Sequence, residues 1–587
     1  MAIRYLAIYT QDDRQRQDLR ARISERVGWP TVFSGRHLLV HANADAITLN
    51  TDAGVVIGHL FSRTSPPRAI QGGTMIEAHP LTGRLLKDFW GGYVALTDTE
   101  TPEGPFVLRD PSGIMPCHYI RVGHTTVVAS DADALFLCEL IQPEIDDAFL
   151  ARMLCAPDLR SPRTGLMGVM EVMAGHRLKL AGSGPAETVW TPWQFVDPDP
   201  DVSPQEMSAQ LREVVQSSLQ AWAQSYTHVL STLSGGLDSS IVTTCLAHSG
   251  TRLTAMNIAT DDAEGDERAY ARLVAEATRT PLLEVFHDLS DIDLMTATSA
   301  HLPRPVQPPY GQSANAHRWA TISRLGIDAF INGIGGDNVF CHHRSAAAVV
   351  DRVRSEGLTP RIMETVADLC EMTGCSAWDV VQGAIKRGLK PARYVWKGLQ
   401  GFLTDEAFAD VGEDLYHPWL EAPAKALPGK ATHVAMLTRI QGTVDGFPRD
   451  LPPEINPLLS QPIVEMCLRI PTWHWCRFGQ DRSVAREAFR DVLPPEIVNR
   501  RSKGTPGAFV FQIVECNTPL LRERLVNGHL ARLHLIDTVR LEASLARPTQ
   551  MSNTDAIQIL LLSETEAWID HWRARRQTVY PQRKKWP

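Results

Sequence analysis

The residues best suited to chemistry are Ser234-Gly-Gly-Leu-Asp-Ser-Ser240. Two adjacent glycines let backbone N–H groups approach a ligand with no Cβ in the way. If a helix follows, its first turn adds unsatisfied N–H groups and a positive dipole end. The serine hydroxyls supply further donors, so the run suits a polyphosphate. Asp238 would repel a phosphate unless a cation stood between them, and it therefore reads as a Mg²⁺ ligand. The run lacks the Gly-Lys-Ser/Thr ending of a Walker A loop. A second glycine-rich acidic run, Ile331-Asn-Gly-Ile-Gly-Gly-Asp-Asn-Val-Phe340, places Asp337 as a partner carboxylate.

Elements of the right type surround both runs. His228–Leu233 reads as a strand and Ser240–His248 as a helix. The alternation continues with strand 253–258, helix 266–278, strand 282–286 and strand 327–331. Short β-rich runs alternating with amphipathic helices imply a parallel sheet covered on both faces. Two aspartates at the carboxyl ends of two such strands converge on the crevice where doubly wound sheets bind ligands. From about residue 341 onward the pattern is mostly helical, as in 346–356, 361–372, 434–444 and 555–573.

The first 195 residues read differently. Gly54–Phe61, Gly91–Leu96 and Thr125–Ser130 are strand-like runs, separated by turn clusters such as Arg109-Asp-Pro-Ser-Gly113. An antiparallel sandwich is expected there. Val196-Asp-Pro-Asp-Pro-Asp-Val-Ser-Pro204 is an extended, solvated linker. Ser203-Pro-Gln-Glu206 then carries the signature of a helix start. The expected units are residues 1–195 and 203–587.

Composition excludes several classes. With 58 Lys plus Arg against 67 Asp plus Glu, the formal net charge of −9 argues against nucleic-acid binding by bulk positive charge. No apolar run approaches the length of a membrane span or a signal peptide, so a cytoplasmic protein with no membrane partner is expected. The ten cysteines form no Cys-x-x-Cys pair, which leaves no sign of a structural zinc site or a dithiol motif. The first of them is Cys117.

The 234–240 run resembles the S-G-G-x-D-S pyrophosphate loop of the N-type ATP pyrophosphatases, which split ATP between the α and β phosphates and adenylate a substrate. The 331–340 run resembles the second metal segment of the asparagine synthetase family, and Asp481–Arg490 with Leu493–Gly504 resembles that family's "LREAF…LP.EI…R.K" stretch. The resemblance implies ATP and Mg²⁺ as cofactors, with Asp238 and Asp337 on the metal. It implies Leu233, Ser234, Gly235, Gly236, Leu237, Asp238, Ser239, Ser240, Ile258 and Gly333 around the nucleotide, and Lys503 as the catalytic lysine. It also implies an adenine nucleotide α-hydrolase-like α/β domain with a large helical part. Phe89–Leu96 and Leu108–Gly113 resemble the family's glutaminase domain, so the N-terminal unit is expected to be a degenerate Ntn-type α+β sandwich. That hydrolase uses a cysteine directly after the initiator methionine, its own α-amino group acting as base. Ala2 stands there instead, and the family's R-G-P-D glutamine-binding segment is not recognisable. No glutaminase activity is expected.

An amine already on the substrate is then the natural nucleophile. Two branches of the family work this way, the β-lactam formers and the lasso-peptide cyclases. His417–Leu420, Pro457–Glu465 and Cys467–Trp473 resemble the proteobacterial cyclases. That likeness implies a ribosomally made precursor peptide as substrate, with a leader peptidase and a leader-recognition protein as partners. A β-lactam- or asparagine-synthetase-like small-molecule ligase is the alternative. The β-lactam formers place a catalytic Tyr where this sequence has apolar Ile334, which cannot act as a base. His342 and His343 could be considered for that role, although such a pair usually reads as polar helix surface.

Overall fold

The protein is described from a computed structural model. The described residues are 2–44, 46–49, 54–72, 74–76, 81–99, 103–197, 202–262, 265–306, 308–411, 415–444, 450–501, 504 and 507–579.

Two sheets form the N-terminal part. One has six strands, with Tyr5–Thr10 pairing antiparallel to both Leu38–Ala42 and Thr125–Ala129. The other has eight, centred on the antiparallel pair Gly54–Ser62 and Phe89–Thr97. Apolar side chains from alternate positions of both sheets, among them Tyr5, Val40, Ile57, Val94, Val107 and Val128, meet in one buried layer. The expected antiparallel arrangement is present, apart from one parallel pairing between Ala46–Leu49 and Met75–Ile76. A helix at Asp13–Val27 was not anticipated from the sequence. It is highly polar and buries little beyond Leu19 and Ile23, so it carries almost no apolar periodicity. Asp12 fixes its start by accepting from the N–H groups of Arg14 and Gln15.

The second part opens with the helix Pro204–Ala223. Ser203 and Glu206 close a capping box at its start, with proline at the first position, as the sequence implied. Residues 198–201 of the expected linker lie outside the described residues. Five parallel strands follow, β1 His228–Thr232, β2 Arg252–Ala259, β3 Leu282–Phe286, β4 Ala329–Ile331 and β5 Glu454–Ile455, in the order β3-β2-β1-β4-β5. Helices Leu237–Ala247 and Arg268–Thr278 make the β1-to-β2 and β2-to-β3 crossovers. The chain then returns to the far side of β1 to lay down β4. The strand order therefore reverses between β1 and β4, and their carboxyl ends flank the crevice.

Apolar cores run across the two parts. Phe61 and Trp90 of the N-terminal sheet pack with Trp222, whose indole N–H donates to Ser460 Oγ at 2.9 Å. The last helix, Asn553–Val579, brings Ile559, Leu560 and Trp568 into one cluster with Leu6 and Ile8 of the first strand. No helix among the described residues is long and apolar enough to cross a membrane.

Candidate active site

The loop after β1 turns sharply at Gly235, where φ is +69°. A Cβ at Gly235 would run into Tyr270 and the backbone N of Ala271, so both conformation and space require glycine. Gly236 caps the helix Leu237–Ala247 without a side-chain bond, which leaves the first-turn N–H groups of that helix for a ligand. Ser234 Oγ and Ser239 Oγ lie 3.1 Å apart, while Ser240 Oγ donates to the Gly236 carbonyl at 2.7 Å. Arg500 donates to the Gly235 carbonyl at 3.0 Å and stacks on Tyr270 with its guanidinium 3.8 Å from the ring centre. The same arginine binds Glu267 Oε1 at 2.7 Å, and that oxygen also accepts from the Gly504 N–H at 2.9 Å.

The loop after β4 lies directly alongside. A Cβ at Gly333 would stand 2.6 Å from the backbone N of Ser239, and one at Gly336 would collide with the Asp238 carboxylate. The two glycine-rich loops are thus packed backbone to backbone. Asn332 fixes the second loop, accepting from the Ile334 N–H at 2.9 Å and donating to Glu454 on β5.

Asp238 and Asp337 converge on one point. A single guanidinium nitrogen of Arg482 lies 3.2 and 3.1 Å from the two Asp238 oxygens and 2.5 Å from Asp337 Oδ1. Arg482 is held in the left-handed conformation, φ +51°, at the start of helix Ser483–Ala488. Burial works against its charge, but Asp238, Asp337 and Asp481 outweigh burial and raise its pKa above the ordinary arginine value. Asp481 extends the network, accepting from Arg482 at 3.0 Å and Arg486 at 2.8 Å. Burial pushes the Asp481 carboxyl up, and the two arginines more than reverse this, holding it below the usual carboxylate range. His342 links the two acids, with Nδ1 3.3 Å from Asp337 and Nε2 3.5 Å from Asp481. The helix-surface reading of the histidine pair is corrected here. Both histidines lie in a non-helical stretch, His342 joins the carboxylate network, and burial lowers the His343 pKa to about 4.

Together these groups line a cleft of about 360 Å³, whose wall includes Ser234, Asp238, Gly333, Asp337 and the arginines Arg318, Arg482, Arg486 and Arg500. Donors from a helix start, glycine backbone and serine hydroxyls, in a wall that also carries four guanidiniums, suit a polyphosphate. Two carboxylates already sharing one cation suit Mg²⁺.

Ser234, Gly236, Leu237, Asp238, Ser239, Gly333 and Asp337 thus stand together on the cleft wall. Gly235 and Ser240 shape the loop from behind, through its turn and the hydrogen bond to Gly236. Leu233 is fully buried in the apolar core, and Ile258 packs with Leu230, Met256 and Phe330 beneath the sheet's end. Lys503 lies outside the described residues. Asp481, Arg482 and Arg500 fall inside the family-like segments 481–490 and 493–504 but were given no role from the sequence, and Glu267 was not singled out at all.

The three cysteines of the N-terminal part, Cys117, Cys138 and Cys155, are buried. Ala2 presents only a methyl group, and burial pushes the Cys117 thiol up to about 12.

Comparison with known proteins adds the following. The family model described as asparagine synthase matches residues 210–408 and 455–570. Asparagine synthetase [glutamine-hydrolyzing] 3 of Bacillus subtilis (strain 168) is 27% identical over 143 residues, which is 24% of this chain and 23% of that protein. The chain therefore matches less than a quarter of the length of that relative. Among solved structures, glutamine phosphoribosylpyrophosphate amidotransferase from B. subtilis, complexed with ADP and GMP, is 11% identical with a TM-score of 0.19, over 48% of this chain and 65% of that one. The allosteric regulatory enzyme of purine biosynthesis is also 11% identical, with a TM-score of 0.20, over 56% of this chain and 89% of that one. Scores this low carry no argument about this protein.

Proposed function

The chain belongs to the asparagine synthase family, and from that premise we propose that it is an ATP-dependent lasso-peptide cyclase, joining the side-chain carboxyl of an Asp or Glu in a precursor peptide to the peptide's own N-terminal amine. The carboxylate attacks the α-phosphate of ATP and pyrophosphate leaves. The N-terminal amine then attacks the acyl-adenylate, AMP leaves, and the amide closes a ring. The observation that supports this reading is a cleft that gathers Ser234, Gly236, Asp238, Ser239, Gly333 and Asp337, in a chain whose position 2 is alanine. Without a nucleophile there, the N-terminal part would not supply ammonia from glutamine, and an amine carried by the substrate is the natural replacement.

In this reading the residues act as follows. The first-turn N–H groups of helix Leu237–Ala247, with Ser234 and Ser239, bind and orient the polyphosphate. Asp238 and Asp337 would hold Mg²⁺, which offsets the negative charge of the phosphates when bound. Arg500 keeps the Gly235 turn in shape through its carbonyl. Lys503 would stabilise the pyrophosphate leaving group and the tetrahedral oxyanion. Ile334 stands on the cleft wall, 42% exposed, and supplies no base. The N-terminal sheets and the helical part from about 341 to 450 would form the scaffold that holds the threaded tail while the ring closes. The precursor peptide, a leader peptidase and a leader-recognition protein would be its partners.

The test is to incubate the full chain with ATP, Mg²⁺ and a precursor peptide and to follow AMP and pyrophosphate. Release that depends on the peptide, is indifferent to glutamine and ammonia, and is lost in Asp238→Ala supports the proposal. Asparagine formed from aspartate and ammonia, with no response to peptide, overturns it in favour of a small-molecule amide ligase.

A further inference from the structure

Residues 391–400 follow the helix Ala377–Gly388 as a stretch without helix or strand, and their burial alternates strictly. Tyr394 and Trp396 point inward, Trp396 packing on Ala156 and Leu159. Arg393, Val395, Lys397 and Leu399 are exposed, Val395 by 63% and Leu399 by 48%. A period of two is that of an extended chain lying on a surface. Its outer face therefore reads cation, apolar, cation, apolar. Lys386 and Lys390, also exposed, lie just before it and add to the charge. Among the described residues none of these four cations takes part in an ion pair, in a protein whose net charge is −9.

The backbone makes few bonds of its own. Among the described residues the only main-chain bond made by 393–399 is the Leu399 N–H to the Cys155 carbonyl, at 2.7 Å. A row of extended, unpaired N–H and C=O groups is a template for a further strand. It also argues against a lipid surface, where those groups would lose water and gain no partner. The stretch also packs against the chain segment that borders the cleft. Trp396 lies under the Arg439 guanidinium, 5.0 Å from the ring centre, and the next residue, Ile440, lines the cleft wall.

We propose that residues 393–399 pair with an acidic, extended segment of the polypeptide substrate, outside its reacting residues, whose Asp or Glu side chains alternate with apolar ones. This inference rests on the peptide reading above. Main-chain bonds would give affinity, and opposite charges facing each other would fix the register. The arrangement would hold the substrate beside the cleft while its acceptor carboxylate is activated.

The test uses the full chain without ATP. Its probe is a fluorescein-labelled peptide of alternating Glu and Val, blocked at both ends, read by anisotropy. The expected result is saturable binding that weakens with salt. It should fall about tenfold in the double variant Arg393→Glu/Lys397→Glu, as two reversed cross-strand charge pairs would give. It should also fall for a peptide whose alternate amides are N-methylated. Binding insensitive to the charge reversal or to N-methylation overturns the proposal. So does a chain that binds phosphatidylserine vesicles and not the peptide. Failure of the cyclase reading is separable. The Asp238→Ala variant must still bind the probe, and a chain that binds it yet makes no AMP with a precursor leaves this surface standing while removing that reading.

Discussion

Replacing Arg482 with methionine keeps most of the side-chain volume and removes the charge that holds Asp238 and Asp337 together. Both the arginine and Asp238 are about nine-tenths buried, and the shared nitrogen lies 3.1 Å from Asp238. At an effective dielectric of about 20, one such contact is worth about 5 kcal/mol of Coulomb attraction. Desolvation takes back part of that, and Asp337, with a third of its side chain exposed, contributes at a discount. A net loss of about 3 kcal/mol is expected when the arginine goes and the two carboxylates face each other alone. A divalent cation entering at the same point restores the balance. Thermal unfolding without nucleotide reads this out. In EDTA the variant should melt a few degrees below the parent, and excess Mg²⁺ should close most of the gap. Calorimetric titration should show tighter Mg²⁺ binding in the variant, because the arginine no longer competes for the carboxylates. Equal melting in EDTA, or a gap that Mg²⁺ leaves untouched, would refute the idea that the aspartates share one cation site.

Three further outcomes follow from the geometry. Gly333→Ala puts a methyl group 2.6 Å from the Ser239 backbone. Separating the two loops by a fraction of an ångström should lower adenylation about a hundredfold while leaving the melting temperature within a few degrees, measured by pyrophosphate release beside a thermal scan. Glu564 is buried on the last helix, where burial raises its carboxyl to about 7 and Oε2 has no partner among the described residues. Its folded pKa exceeds the unfolded value, so its contribution is intact below about pH 4.5 and is lost as pH rises toward 7. Glu564→Gln should therefore stabilise the protein at pH 8, with the advantage shrinking toward pH 5, and a pH-independent difference would contradict this. Ala2→Cys restores a thiol but not a recognisable glutamine-binding segment, so ammonia release from glutamine should stay at background.

The β1 loop could be read because its chemistry is local. Two glycines, an aspartate and serines between a strand and a helix specify a tight turn into a helix start before any tertiary contact is known, and Gly235 makes that turn while Gly236 caps the helix. The parallel strands were legible for a similar reason, since β2 and β3 are short β-rich runs set off by helices. What escaped was whatever depends on distant chain segments meeting. Arg482 lies 244 residues from Asp238, and nothing in Asp481-Arg-Ser-Val-Ala-Arg486 announces that its first arginine will sit between two carboxylates. Strand β5, only Glu454–Ile455, is too short to show a period. Ile258, expected beside the nucleotide, packs at the edge of the cluster with Met256 and Phe330. The shared cores at Trp222 and at Leu6 were equally invisible. They mean that deleting residues 1–195 would strip apolar surface bare, so the scaffold role is better probed by point substitutions than by truncation.

The proposed reaction is an ATP-driven bond between a peptide's own amine and its own side-chain carboxyl. Tandem mass spectrometry of the product from the full chain, ATP, Mg²⁺ and a precursor peptide tests it most directly. The expected product is a peptide lighter by one water, with the N-terminal amine joined to an Asp or Glu side chain and one AMP released per ring. An unchanged peptide, a linear amide to free ammonia, or ADP in place of AMP would contradict it.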